Sequence, residues 1–164
     1  MERAIESFRQ DEHGDWIARL RCGHGQHVRH RPPFWLRPWL LDAAGRAAKI
    51  GAPLDCVLCD RFEMPGGYAP YQRTAEFDES SIPAGLTRHH TTRPGVWAVI
   101  HVVAGRLRYV VEAPLVRDDI LEPARPGLVA PEVPHRVEAL GPVRFFVEFH
   151  RPADRPADRP QGGA

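Results

Sequence analysis

The sequence predicts a mainly β protein in two parts: a small hairpin-and-helix module stapled by zinc, followed by a barrel or sandwich of short strands. Three observations carry this. All three cysteines of the 164-residue chain lie within its first 59 residues, as Cys22 and the Cys56-Val57-Leu58-Cys59 pair. The region after Gly85 is β-branched and apolar, with Gly/Pro turns at short intervals. Helix-like periodicity is confined to one short segment.

Along the chain, Ala4 to Arg9 is a candidate strand, 11–15 a turn, and Trp16 to Cys22 a second strand with Trp16, Ala18, Leu20 and Cys22 on one face. After Gly23-His24-Gly25, His27 to His30 returns as a hairpin arm, stopped by Pro32-Pro33. A helix is expected from an Asp42 N-cap to about Ile50, ended by Gly51. Residues 1–62 thus form a module of roughly 60 residues, too small to rest on packing alone, which gives a metal staple a physical purpose. Residues 63–85, rich in Pro, Gly, Ser and acids, read as a connection with at most one docked strand near 73–77. The barrel then occupies 86–150, with strands over 95–103, 107–112, 128–130, 135–139 and 143–149. The tail 151–164 repeats Arg-Pro-Ala-Asp, has no large apolar anchor and is expected to be disordered.

A thiolate pair two residues apart grips one tetrahedral ion from a single turn, and a separate Cys/His hairpin completes a set of four. Cys56, Cys59 and Cys22 are three of the expected structural zinc ligands. The fourth is His27 if a two-residue turn places it across from Cys22, or His24 if the hairpin forms a knuckle around Gly23. Four protein ligands close the site, making it structural rather than catalytic.

Lys+Arg number 22 against 21 Asp+Glu, so global charge gives no case for nucleic acid. Between Arg19 and Arg46, however, six Arg and three His face one acid, Asp42. That patch admits a nucleic-acid or protein partner as an alternative reading. No stretch reaches the ~18 apolar residues of a membrane span, and the N-terminal residues lack a signal-peptide pattern. Cytoplasmic residence without membrane contact is the expectation, and uncovered edge strands leave room for a homodimer.

The segment Cys22-Gly23-His24-Gly25-Gln26-His27-Val28-Arg29-His30-Arg31-Pro32-Pro33, with Arg37-Pro38-Trp39 and the later Cys pair, resembles a small bacterial domain family of unknown function over about residues 1–62. Gly127 to His135, with its Pro131 and Pro134, resembles the second cupin motif. The run His90 to Trp97, continuing to Gly105, is similar to the cupin-like domain of TehB-type tellurite-resistance proteins, over about residues 70–150. The resemblance implies a double-stranded β-helix with His90 and His135 directed into a shared pocket, a second divalent metal there, and a small-molecule or metal-oxyanion ligand in a stress role. A metal-dependent enzyme is a further alternative. Against it, Ala98 stands where the first cupin motif carries a Glu. His101 supplies a third imidazole only if it shares an inward face with Trp97, Val99 and Val103; in the other register Ala98, Ile100 and Val102 point inward. Glu148 is expected to face outward, opposite Phe145, Val147 and Phe149, and His89 to be an exposed neighbour of His90.

Overall fold

The computed structural model describes residues 1–154. The N-terminal part is a four-stranded antiparallel sheet of β1 (Glu2–Gln10), β2 (Trp16–Leu20), β3 (Gly25–Val28) and, after the single-turn α1 (Ala43–Ala47), β4 (Pro53–Asp55), in the order β3-β2-β1-β4. α2 (Val57–Asp60) follows. The helix begins at its expected cap, where the Asp42 carboxylate accepts from the Gly45 amide at 2.6 Å. It ends at Ala47 rather than near Ile50, and the chain leaves through Gly51 at φ +82°.

The remainder is two antiparallel sheets. One contains β5 (Tyr68–Arg73), β6 (Phe77–Asp78), β7 (Trp97–Ala104), β10 (Gly127–Val129) and β12 (Arg144–Pro152), in the order β10-β7-β12-β5 with β6 also on β12. The other is β11 (His135–Ala139), β8 (Leu107–Val111) and β9 (Arg117–Leu121), in the order β11-β8-β9. Alternate residues of both sheets, among them Ile100, Phe145, Val147 and Val137, enclose a common cavity.

Three expectations need correction. The 63–85 segment is not merely a connection: β5 and β6 are hydrogen-bonded to β12, so the sheet begins at Tyr68. Their side chains are largely exposed, so the strands leave little apolar periodicity to read. β9 escaped the sequence reading for the same reason, since Arg117, Asp118 and Ile120 are exposed and only Leu121 is buried. Arg151 and Pro152, assigned to the tail, close β12 against β5; the rest of that expectation, residues 155–164, lies outside the described residues.

On β7 the register with Ala98, Ile100 and Val102 inward is the one adopted. His101 lies on the other face, stacked on Phe146 with centroids 4.8 Å apart and 3.8 Å from Glu148. Trp97 and Ala98 are consecutive yet both buried, at 0% and 1% exposure. That breaks the in–out alternation of a half-buried strand, because one face of β7 meets the cavity while Trp97 meets the N-terminal module. Cores from both modules therefore merge into a single cluster that includes Leu20, Cys22, Phe62, Trp97 and Ile100.

Candidate metal centre and enclosed cavity

The loop between β2 and β3 is a knuckle. Leu20 receives two contacts: its amide donates to the His24 carbonyl at 2.8 Å, and its carbonyl accepts from Gly23 at 2.7 Å. Gly23 sits at φ +92°, in the left-handed region that favours glycine. The β2–β3 register pairs Ile17 with His27 and Arg19 with Gly25, so a two-residue turn does not occur. His27 points to solvent and bonds Asp11 Oδ2 at 2.9 Å, away from the cysteines. His30 is equally remote, its Nδ1 accepting from the Arg37 amide at 2.9 Å.

His24 instead turns inward with Cys22. Opposite them, Cys56 precedes α2 and Cys59 lies on it, so one short helical turn presents both thiols. The four residues are buried, and their ligand atoms all lie within 4.8 Å of one another. His24 Nδ1 is 3.4 Å from Cys22 Sγ, 3.3 Å from Cys56 Sγ and 3.7 Å from Cys59 Sγ, and the Cys22 and Cys56 sulfurs are 3.8 Å apart. Tetrahedral zinc, with Zn–S of about 2.3 Å and Zn–N of about 2.0 Å, sets S···S edges of about 3.8 Å and S···N edges of about 3.5 Å. The donor set and spacing fit such an ion.

Without an ion, the ligands share their protons unequally. Hydrogen bonds from Cys22 and Cys59 hold the Cys56 thiol far below its ordinary value. Burial opposes a charge on His24, but its bonds to Cys56 and Cys59 outweigh this and raise it to about 9. Hydrogen bonds to Cys56 and Cys59, together with burial, push the Cys22 thiol up, so without an ion one thiolate sits beside a protonated His24, and binding an ion must release the remaining protons.

The knuckle is clamped by the sandwich. Trp97 Nε1 donates to the Cys22 carbonyl at 2.8 Å, and its ring meets His24 edge-on, with centroids 5.6 Å apart. A Cβ on Gly23 would lie 1.9 Å from the Tyr68 hydroxyl. Gly23→Ala should therefore cost about 1–3 kcal/mol through backbone strain and displacement of Tyr68, read as a lowered thermal midpoint; an unchanged midpoint would show the loop tolerates a side chain. The role of Trp97 is missing from the sequence reading. Its only signal is the unbroken apolar run Val96 to Ile100, which suits a strand covered on both faces.

The basic patch is partly spent within the chain. Arg29 pairs with Asp15 at 2.9 Å, Arg21 with Glu132 at 3.2 Å, and Arg46 donates to the Leu40 carbonyl at 2.7 Å while covering the Trp16 ring.

The second candidate site is the cavity of about 300 Å³ between the sheets. His90 and His135 both line it, joined as an antiparallel bridge with reciprocal backbone bonds of 3.0 and 2.9 Å and rings 5.3 Å apart. His89 faces away and bonds Glu112 at 2.8 Å. Glu148 lies outside with His150, 3.0 Å away. Among the described residues, Cys22, His24, Cys56 and Cys59 are the one group of three or more potential ligands gathered closely enough for an ion. The cavity brings together two imidazoles and no third ligand.

Residues 7–63 match the model of a family described as "Protein of unknown function (DUF3565)", and residues 72–147 match that of the TehB-like domain. The search of curated proteins gives no match. Among solved structures, TehB from Haemophilus influenzae is 22% identical with a TM-score of 0.50, over 53% of this chain and 32% of that one. The chain thus spans about a third of TehB. A protein from E. coli strain K12 is also 22% identical with a TM-score of 0.52, over 62% of this chain and 98% of that one. Likeness at this identity is a likeness of fold. No membrane-length apolar helix occurs among the described residues, and the chain is mainly β with one compact Cys/His group suited to a metal ion.

Proposed function

We propose that the chain is a zinc-stapled, cupin-like binding protein, with zinc held structurally by Cys22, His24, Cys56 and Cys59. Its function lies in the cavity at His90 and His135, which receives a small molecule in a tellurite-resistance-like stress role. The observation that carries this is the cavity itself: about 300 Å³ of mostly apolar space with two convergent imidazoles, the form of a small-ligand site. The zinc set has all four positions taken by protein and leaves none for substrate. A metal-dependent enzyme is less well supported, because the cavity has two histidines where an open catalytic metal site uses three protein ligands.

The reading is tested by filling the cavity. Val129→Phe places a ring in the space that Val129 now borders. A screen of small molecules by thermal shift should find compounds that stabilise the native chain by about 2–3 kcal/mol at one hundred times Kd and have no effect on the filled variant. Compounds acting equally on both, or none acting on either, would refute it.

A further inference from the structure

The cavity's polar groups narrow the chemistry of what it can hold. Four of its lining residues carry them: Thr74, Thr92, His90 and His135. The Thr74 hydroxyl donates to the Ala75 carbonyl at 2.8 Å and accepts from the Val147 amide at 3.0 Å, so it is committed to the sheet. Thr92 reaches the Ala130 carbonyl at 3.5 Å. His135 Nδ1 is 2.9 Å from the Val133 carbonyl. A carbonyl only accepts, so the Nδ1 carries the proton and Nε2 keeps its lone pair. Among the described residues no group hydrogen-bonds that Nε2 or either ring nitrogen of His90. No Asp, Glu, Lys or Arg lines the space. Burial holds both imidazoles below the ordinary histidine value; for His135 this prevails over the Val133 bond, which acts the other way.

We propose that the cavity takes a small, uncharged, mainly apolar molecule carrying one hydrogen-bond donor, of the phenol or alcohol class, with the donor on His135 Nε2. This rests on the reading of the cavity as the ligand site. The hydroxyl oxygen then lies beside His90, whose ring nitrogens supply the second polar contact. An oxyanion finds no cation in this space and faces a lone pair, so its lost hydration is not replaced. A divalent ion finds two nitrogens and no carboxylate. The rest of the wall, including Phe77, Leu86, Ile100, Phe145 and Phe149, offers only apolar contact.

Six probes separate the outcomes: benzene, p-cresol, 4-methylanisole, sodium tellurite, Fe(II) and Zn(II), each titrated into the full zinc-loaded chain. Binding is read from the methyl NMR shifts of Leu86, Val129 and Val137. p-Cresol should bind about tenfold more tightly than its methyl ether, the value of one hydrogen bond to a buried acceptor. The preference should vanish in His135→Phe, which keeps a ring and removes the lone pair. Should that variant misfold, the cresol-to-ether ratio on the native chain decides alone. Equal affinity for the two, or His135-dependent binding of tellurite or of added Fe(II) or Zn(II), would overturn the proposal. Benzene binding without a cresol preference would sink the ligand class and leave the cavity reading standing; failure of both benzene and cresol would sink both.

Discussion

A Cys59→Ala chain should purify without its zinc and unfold at a markedly lower temperature than the native protein. Cys59 is fully buried on α2, and its thiol is one of four donors that converge between the knuckle and the helical turn. Removing it leaves an open three-ligand site of Cys22, His24 and Cys56. Loss of a structural metal belongs to the small set of changes that exceed about 4 kcal/mol. The N-terminal sheet should loosen first, since β4 and α2 are short and pack onto the centre they help to build. Elemental analysis of the purified proteins, with thermal unfolding in the presence and absence of a chelator, measures this. The native chain should carry one zinc and lose stability on chelation. A native chain without metal, or a Cys59→Ala chain with unchanged midpoint, would refute the centre.

Trp97→Ala should rank next in severity and should act on both parts of the molecule. The indole is completely buried, donates to the Cys22 carbonyl and packs on the edge of His24, while its neighbour Ala98 lines the cavity. Truncation removes a large apolar group from a place where the two cores meet, at a cost of about 3–5 kcal/mol. It also frees the knuckle that presents two ligands, and loss of such supporting contacts typically weakens metal binding by about 10- to 100-fold. Trp97→Phe separates the two effects. It retains most of the packing and deletes the hydrogen bond, so it should cost only about 1–3 kcal/mol for the unpaired carbonyl. Zinc release to a chromogenic chelator should be fastest in the alanine variant and intermediate in the phenylalanine one. Equal release from all three chains would show that Trp97 is mere filling.

The cysteines show how far residue type and spacing can go. Cys56 and Cys59, with two residues between them, suit a metal turn because one short turn can present both thiols, and the rarity of cysteine elsewhere in the chain points to Cys22 as the partner. The alternation of Phe145, Val147 and Phe149 likewise fixes which face of β12 is interior, since strand side chains can only alternate. Strands such as β5 and β9 leave no such mark, because an edge strand with both faces near solvent is held by backbone bonds that any sequence can make.

Local pattern therefore marked the buried strands with their inward faces, and the three cysteines that the fold gathers with His24. The choice of His24 over His27 was beyond it: both imidazoles stand close to Cys22, and only the β2–β3 register, with Ile17 opposite His27, turns one of them inward. The contact of Trp97 with Cys22 joins residues 75 positions apart, and the His90–His135 bridge joins residues 45 positions apart. Pairings of that kind are set when separate strands bury their apolar faces against one another, a condition of the whole chain that no single segment encodes.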